Sequence, residues 1–256
     1  MNNYYTSEKI INKKINFGFF TKNGGYSTNN FASLNCGYGS GDDKKLVFKN
    51  IERAKKLINL NRKKLKTVNQ IHSNKVILIN KDNINQSYDA DGIITQDKNI
   101  SIAVITADCC PIFIFDNDLS FISCLHAGWR GSYLNIVKEA INKIKKIQPN
   151  FKKINVIIGP CLNKNSFQVD ENFKNKFIKK SENYKKFFYK KDKSSKNLFD
   201  MRGLIISQMI ENNITNLEDV NLDTYTNKNS FFSHRRSTHL NLLPAGRMIN
   251  IIGFNN

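Results

Sequence analysis

"TADCCPIFIFDN", residues 106–117, places two adjacent cysteines between an acidic residue and a proline, at the start of an apolar run. The apolar residues at 111–115 predict a buried β-strand. Neighbouring side chains on a strand point to opposite faces of the sheet, so Cys109 and Cys110 cannot both face one site. At most one of these thiols is therefore expected to be reactive, and the other is expected to pack in the core.

The segments around this stretch mix predicted strands with predicted helices. Strands are predicted at 75–80, 100–106, 111–115, 119–125, 153–160 and 230–236. Helices are predicted at 43–60, at roughly 171–180 and 200–212 with Asp170 and Asp200 as N-caps, and after a Ser132 cap with Leu134, Val137, Ile141 and Ile144 on one face. Some strands follow one another through short turns, which favours an α/β or α+β protein with a mixed sheet. No repeat or linker marks a domain boundary.

The bulk composition is that of a globular protein. Of the 256 residues, 40% are hydrophobic and 24% are charged. The N-terminal stretch lacks the features of a secretory signal, and no apolar run approaches the ~20 residues needed to cross a membrane. The five cysteines are odd in number and lack a framework spacing. We therefore expect a cytoplasmic protein with reduced thiols and no membrane partner.

The net charge of +19 raises the hypothesis of a basic, non-catalytic nucleic-acid-binding protein. However, the lysines are spread along the chain, and no zinc-finger spacing or aromatic RNA-binding motif accompanies them. Their densest stretch, 173–196, is either a binding arm or an amphipathic helix with a solvated basic face. Phe173 and Phe177, four residues apart, favour the helix. We expect no specific nucleic-acid partner.

Two of the four histidines lie at predicted strand ends, where sites on sheet scaffolds usually form. His72 precedes a strand, and His126 follows one. Together with a cysteine they can form a zinc set that leaves one position open for water or substrate. The same three side chains can instead form a thiolate nucleophile activated by imidazole. Their spacing alone does not decide between these uses or exclude purely structural roles.

The sequence GWRG, residues 128–131, is a candidate anion site. Arg130 lies ahead of a predicted helix, so a guanidinium and backbone N–H groups could meet a phosphate or carboxylate there. The alternative is a tight turn that needs glycine.

Eight sequence blocks, taken in order, resemble the YfiH or laccase-domain family over about residues 17 to 253. They are GFFTKNGGYS, ASLNCG, NQIHSNKV, DADGIIT, TADCCPIFIFD, HAGWRG, IGPCL…FQV and FFSHRR…GRM. The resemblance implies one α/β catalytic domain, residues 1–256, with mixed β-sheet layers flanked by helices. It also implies an active site in which His72, Cys109 and His126 bind zinc or copper, while Cys110 occupies a variable position.

The activity implied is that of a purine nucleoside phosphorylase, in which phosphate releases the base from adenosine, inosine, guanosine or methylthioadenosine. Adenosine deamination is an implied side activity. Arg130, and less strongly Arg235 and Arg236, are the candidates for binding phosphate, and Trp129 either stacks on a base or packs in the core. The expected partners are purine nucleosides and phosphate, for a monomer or weak homodimer. The alternative activity is that of a cysteine hydrolase that edits peptidoglycan precursors, with Cys109 as nucleophile.

Some features limit what the resemblance implies. A true multicopper oxidase needs many imidazoles, usually in H-x-H pairs, whereas this chain has four histidines and no such pair. His234 stands where the family usually has tyrosine, and residues 237–247 replace a compact T-G-R. Asp223 stands near a usual Cys-Thr, and Gln168 replaces a glutamate. These departures concern substrate choice more than the proposed metal ligands.

Overall fold

Helices and strands are interleaved in the computed structural model, which describes residues 2–151, 153–190, 192 and 196–255. The helices are α1 (Lys44–Leu57), α2 (Trp129–Leu134), α3 (Ile136–Ile147), α4 (Glu171–Lys180), α5 (Met201–Glu211) and α6 (His234–His239). The strands are β1 (Tyr4–Tyr5), β2 (Ile15–Phe20), β3 (Lys64–Lys66), β4 (Val76–Ile79), β5 (Gly92–Thr95), β6 (Ile100–Thr106), β7 (Cys110–Asp116), β8 (Ile122–Ala127), β9 (Ile154–Ile158), β10 (Gln168–Val169), β11 (Phe188–Tyr189), β12 (Asn197–Phe199), β13 (Asn216–Asp219) and β14 (Met248–Phe254).

These strands form two large sheets and a small one. The first sheet has the order β1-β2-β14-β6-β3, the second β13-β9-β7-β8-β5-β4, and the small sheet β10-β12-β11. The pairs β3–β6, β4–β5 and β9–β13 are parallel, and the other pairs are antiparallel. The prediction of an α/β protein with mixed sheets is confirmed.

The two large sheets pack face to face and are covered by helices on their outer sides. Phe19 of the first sheet stacks on Phe113 of the second, with ring centroids 4.5 Å apart. On the outer side of the first sheet, α1 buries Val47 and Ile51 in a separate cluster. Helices α3 and α5 cover the outer side of the second sheet. The sheet layers are therefore flanked by helices, as the family resemblance implied.

Strand β7 shows how the sequence alternation fits these layers. Its inner side chains, Phe113 and Phe115, lie between the sheets. Cys110, Ile112 and Ile114 lie in the cluster under the helices. The side chain of Cys110 therefore packs under the helices, because every second side chain of this fully buried strand faces them.

The predicted N-caps of two helices are confirmed. The carboxylate of Asp170 accepts a hydrogen bond from the N–H of Phe173 (2.7 Å), and that of Asp200 accepts from Gly203 (2.8 Å). Within α4, Phe177 is fully buried, while most of the lysines are exposed. The amphipathic interpretation of this helix is correct. Residues 191 and 193–195 of the lysine-rich stretch lie outside the described residues.

The prediction that Ser132 caps a helix is wrong. Ser132 lies inside α2, and its hydroxyl donates to the carbonyl of Gly128 at 3.0 Å. The cap of the next helix, α3, is Asn135, which adopts the left-handed region (φ 61°) and accepts from the N–H of Lys138. Asparagine tolerates this conformation, so it can end one helix and begin the next. Leu134 is consequently 43% exposed instead of buried.

The predicted strand at 230–236 is also wrong. Residues 234–239 form α6, and the hydroxyl of its N-cap, Ser233, accepts from the N–H of Arg236 at 3.1 Å. The cap makes a short helix favourable here, although Phe231 and Phe232 before it are typical of a strand. In the described part of the chain, no helix is both long and apolar enough to span a bilayer.

Candidate functional site

Three side chains that are distant in sequence meet at one end of the second sheet. Cys109 directly precedes β7, His126 lies in the neighbouring strand β8, and His72 lies in the loop before β4. Their ligand atoms all lie within 4.8 Å of one another. Sγ of Cys109 is 3.9 Å from Nε2 of His72, and the two imidazole centroids are 4.9 Å apart. The pairing of β7 with β8 positions the cysteine beside His126.

A buried carboxylate that was not predicted from the sequence, that of Asp91, orients the ring of His126 and holds the backbone of His72. Oδ1 of Asp91 lies 2.7 Å from Nδ1 of His126 and accepts from the backbone N–H of His72 at 3.0 Å. Its other oxygen accepts from the N–H and the hydroxyl of Ser73 at 2.5 and 2.8 Å. Because Nδ1 of His126 is engaged, Nε2 is the atom left for a ligand or substrate. An acid just before a buried strand, in DADGIIT, was the available signal.

The backbone at the site is held in unusual conformations. His72 has φ 58° and Asp108 has φ 88°, both in the left-handed region that non-glycine residues avoid. The carboxylate of Asp108 accepts from the hydroxyl of Thr224 at 2.6 Å and from the N–H of Arg235 at 2.7 Å. These hydrogen bonds offset a strain of roughly 1–3 kcal/mol per residue. They also determine where Cys109, the next residue, is placed.

Gly128 allows the three side chains to approach one another. A Cβ added at this position would lie 2.8 Å from Sγ of Cys109 and 3.1 Å from Cδ2 of His72. Both distances are too short for ordinary contact. The first glycine of GWRG is therefore required by space beside the thiol, and not by its φ of −78°.

The electrostatics of the site favour a charged thiol. Burial alone would raise the pKa of Cys109, but His126 and His72 beside it lower the pKa to about 6. Burial would lower the pKa of His126, but the Cys109 thiolate and the Asp91 carboxylate raise it to about 9. At neutral pH the pair is therefore a thiolate beside an imidazolium. A metal ion would displace the imidazolium proton when it binds.

The donor set fits a single tetrahedral metal ion. One thiolate and two imidazoles suit zinc or copper, and bond lengths of about 2.0–2.3 Å place tetrahedral ligand atoms about 3.5 Å apart. The observed separations, 3.9 Å between Cys109 and His72 and within 4.8 Å for all three atoms, are wider, so the side chains would move inward on binding the ion. Within the described residues, no second group of three His, Cys, Asp or Glu ligands lies close enough to hold a metal. The described residues therefore do not supply the additional ligand groups that a cluster of several copper ions needs.

Two of the three side chains, His72 and Cys109, line a pocket of about 380 Å³, while His126 is buried behind them. Arg130 and Arg235 both line it, as do the aromatic rings of Trp129 and Phe167. The guanidinium of Arg130 lies 4.6 Å from the Trp129 centroid. That of Arg235 lies 5.4 Å from the Phe167 centroid and donates to the carbonyl of Gln168 at 2.9 Å. The structure thus brings both predicted anion-binding arginines to the pocket.

Other predicted residues have different positions. Arg236, the weaker phosphate candidate, donates to the backbone carbonyls of Thr224, Tyr225 and Phe231. Its guanidinium therefore joins loop segments through these hydrogen bonds, and its donors are used there. Trp129 packs on Phe173, with centroids 5.1 Å apart, and also lines the pocket, where its stacking on a base stays a prediction.

The chain is similar in sequence to one protein-family model and to proteins named purine nucleoside phosphorylase. A family model described as "Multi-copper polyphenol oxidoreductase laccase" matches residues 16–255. A purine nucleoside phosphorylase from Rickettsia prowazekii is 28% identical over 233 residues, covering 91% of this chain and 93% of that protein. A purine nucleoside phosphorylase from Rickettsia conorii is 31% identical over 173 residues, covering 68% of this chain and 71% of that protein.

Two solved structures share the fold. A Neisseria meningitidis protein of family DUF152 has a TM-score of 0.87 at 24% identity, covering 100% of both chains. A Bacillus licheniformis hypothetical protein, YfiH, has a TM-score of 0.83 at 24% identity, covering 93% of this chain and 92% of that one. The match to the family model covers nearly the whole chain. The chain therefore belongs to the multi-copper polyphenol oxidoreductase laccase family, the YfiH family that its sequence blocks resemble.

Proposed function

We propose that this protein is a purine nucleoside phosphorylase that releases the base from adenosine, inosine, guanosine and methylthioadenosine, with adenosine deaminase side activity. The observation that carries the proposal is one pocket that joins the Cys-His-His group to two guanidinium groups and two aromatic rings. The names of the two Rickettsia relatives support the same activity. We further propose a cytoplasmic protein, a monomer or weak homodimer, in which residues 1–256 form one catalytic domain.

Phosphorolysis needs an anion held beside the sugar. Arg130 and Arg235 supply the positive charge, because guanidinium groups bind phosphate oxygens through paired hydrogen bonds. Helix α2 has only six residues, so its dipole adds little to this site. A phosphate oxygen bonds to C1′ of the ribose while the C1′–N9 bond breaks. The electron pair of that bond stays on the base, which takes up the proton carried by hydrogen phosphate.

The purine is expected to lie against the apolar walls of the pocket. Trp129 and Phe167 offer aromatic surface, and Leu162 and Met201 offer aliphatic surface. Pockets of this kind bind planar ligands through the apolar walls and orient them through a few polar groups. Arg130 and Arg235 lie on the same walls, which places the phosphate that they would bind beside the nucleoside.

His72, Cys109 and His126 would hold zinc or copper. When bound, the metal would supply a Lewis acid, the chemistry that attack of water on purine C6 requires in deamination. Asp91 holds the ring of His126 in a fixed orientation and tautomer. Gly128 leaves room beside the thiol. These residues act by placing the three ligand atoms.

A second candidate function is a cysteine hydrolase acting on an amide-bearing peptidoglycan precursor. The chain of contacts from Asp91 to His126 to Cys109, with the lowered pKa of Cys109, is the arrangement of an activated thiolate. The thiolate would attack the amide carbonyl, and the imidazolium of His126 would donate its proton to the leaving amine. Such a reaction needs water and no phosphate.

One assay separates these functions. Each purine nucleoside is incubated with the wild-type protein with and without inorganic phosphate, and again after treatment with a chelator. The proposed phosphorylase releases hypoxanthine from inosine only when phosphate is present and forms ribose 1-phosphate in equal amount. Hydrolysis of an amide substrate without phosphate, with no release of any base, would establish the second function instead.

A further inference from the structure

The lysine-rich helix α4 packs directly beside the mouth of the active pocket. Nζ of Lys176 lies 5.1 Å from the centroid of Trp129, which lines the pocket, and 5.3 Å from that of Tyr133. Arg130 approaches the same indole at 4.6 Å. Two cations therefore lie on one aromatic ring at the edge of the site. Contact with the ring restricts where each cation can go.

These two cations have no acidic partner in the described parts of the chain. Lys174, two residues earlier on α4, pairs with Glu171 at 2.8 Å. Neither Lys176 nor Arg130 forms an ion pair or donates a side-chain hydrogen bond to a described residue. Both side chains are exposed. Their positive charge is therefore directed at solvent and at whatever enters the pocket.

The pocket contributes few carboxylates that could pair with them. Among its described lining residues, Asp108 is the one carboxylate, and both its oxygens already accept hydrogen bonds, from Thr224 and Arg235. Arg130 and Arg235 suffice to hold one inorganic phosphate. Lys176, which lies on the Trp129 ring without itself lining the pocket, is then a third cation beside the rim, available for a second anionic group on the substrate.

We propose that the preferred substrates are purine nucleoside 5′-monophosphates, whose phosphate binds Lys176 at the pocket rim. This inference rests on the proposed phosphorylase function. Inorganic phosphate bonds to C1′ as the C1′–N9 bond breaks, and the proton of hydrogen phosphate moves to the base. The products are the free purine and ribose 1,5-bisphosphate, so no further co-reactant is needed. The basic segment that suggested nucleic-acid binding thereby serves a small substrate.

A single nucleotide fits the observations better than a nucleic-acid strand. The pocket of about 380 Å³ lies within the range for one small ligand. The aromatic rings near the basic side chains pack mainly on one another: the Phe173 and Phe177 rings stack with centroids 5.0 Å apart. They do not form the row of free aromatic faces on which successive bases of a strand stack.

The test compares inosine with inosine 5′-monophosphate as substrates of the full chain at fixed inorganic phosphate. We expect kcat/KM to be about tenfold higher for the monophosphate, as one charge-assisted contact provides, and the preference to shrink as salt is added. Lys176→Ala should lower the ratio of the two kcat/KM values about tenfold, and Lys176→Glu should lower it further. Lys176→Arg should retain it. Lys49→Ala, an exposed lysine on α1, is the control and should change neither substrate.

The outcomes separate this inference from the function on which it rests. Cleavage of inosine with no preference for the monophosphate, or a ratio that Lys176→Ala and Lys176→Glu leave unchanged, overturns the inference and keeps the phosphorylase. Cleavage of neither compound overturns the phosphorylase and the inference with it. Inhibition by a short oligoribonucleotide at lower concentration than by inosine 5′-monophosphate would assign the basic rim to nucleic acid instead.

Discussion

Nδ1 of His126 lies 2.7 Å from Oδ1 of Asp91, and the backbone N–H of His72 donates to the same oxygen at 3.0 Å. One buried carboxylate thus places two of the three candidate metal ligands. Burial would raise the pKa of Asp91, but the hydrogen bonds from His126 and Ser73 hold it below its usual value. The group is therefore a carboxylate at neutral pH and can only accept hydrogen bonds.

Replacing this carboxylate should weaken metal binding. Asp91→Asn keeps the size of the side chain but removes the charge that holds the imidazole tautomer, so we expect about a 10- to 100-fold loss of zinc affinity. Titration with zinc against a competing chelator measures it. Asp89→Asn is the matched control, since Asp89 is exposed and its carboxylate accepts from the Asn69 amide, away from the candidate ligands. Equal affinities in the two variants would show that Asp91 does not orient the ligands.

A larger side chain beside the Cys109 thiol should also weaken metal binding. In Gly128→Ala the new methyl group would lie 2.8 Å from Sγ of Cys109, which forces the thiol or His72 to move. We expect at least a tenfold loss of zinc affinity, by analogy with other displaced ligands. Gly39→Ala is the control, because an added Cβ there meets nothing within 4 Å. Unchanged binding in Gly128→Ala would mean that the three side chains do not share one ion.

The reactivity of Cys109 without metal should depend on pH in a defined direction. The thiolate is the reactive form, and the two imidazoles lower its pKa to about 6. In chelator-treated protein, the rate of alkylation by iodoacetamide should therefore rise with pH, with a midpoint near pH 6, and approach its plateau by pH 7. An ordinary thiol would have its midpoint at about 8.5.

Two other thiols, those of Cys36 and Cys124, provide the control for this measurement. Burial raises the pKa of Cys36 and of Cys124, so these residues should stay unmodified in the folded protein. Cys109→Ala should accordingly abolish the fast reaction. A midpoint at pH 8 or above in wild type would contradict the thiolate–imidazolium pair.

The parts of the fold that local patterns determine were predictable from sequence. Apolar alternation identifies β6 and β7, and Asp170 and Asp200 identify two helix starts because their caps are local hydrogen bonds. The prediction failed where two local signals compete. Asn135 in the left-handed region divides the segment after Gly128 into two helices, and Ser233 begins a helix where the aromatic pair before it indicated a strand.

The site also contains both residues that could be predicted from sequence and contacts that could not. The three candidate ligand residues could be named from sequence blocks, and the structure brings them together. The role of Asp91 could not be, because it depends on a contact between residues 35 positions apart. Likewise, nothing in the lysine-rich stretch indicates that Lys176 lies on Trp129, since that contact arises only when α4 packs beside α2.

The most direct measurement of the central claim compares Cys109→Ala with Cys110→Ala in the phosphate-dependent release of hypoxanthine from inosine, with ribose 1-phosphate measured in parallel. Cys110 is fully buried under the helices, so its variant should fold with reduced stability but retain kcat/KM near that of wild type. Cys109→Ala removes a metal ligand or nucleophile and should lose at least about 100-fold in kcat/KM, more than an outer partner such as Asp91. Equal activity in the two variants, whether retained or lost, would contradict the assignment of Cys109 to the catalytic centre.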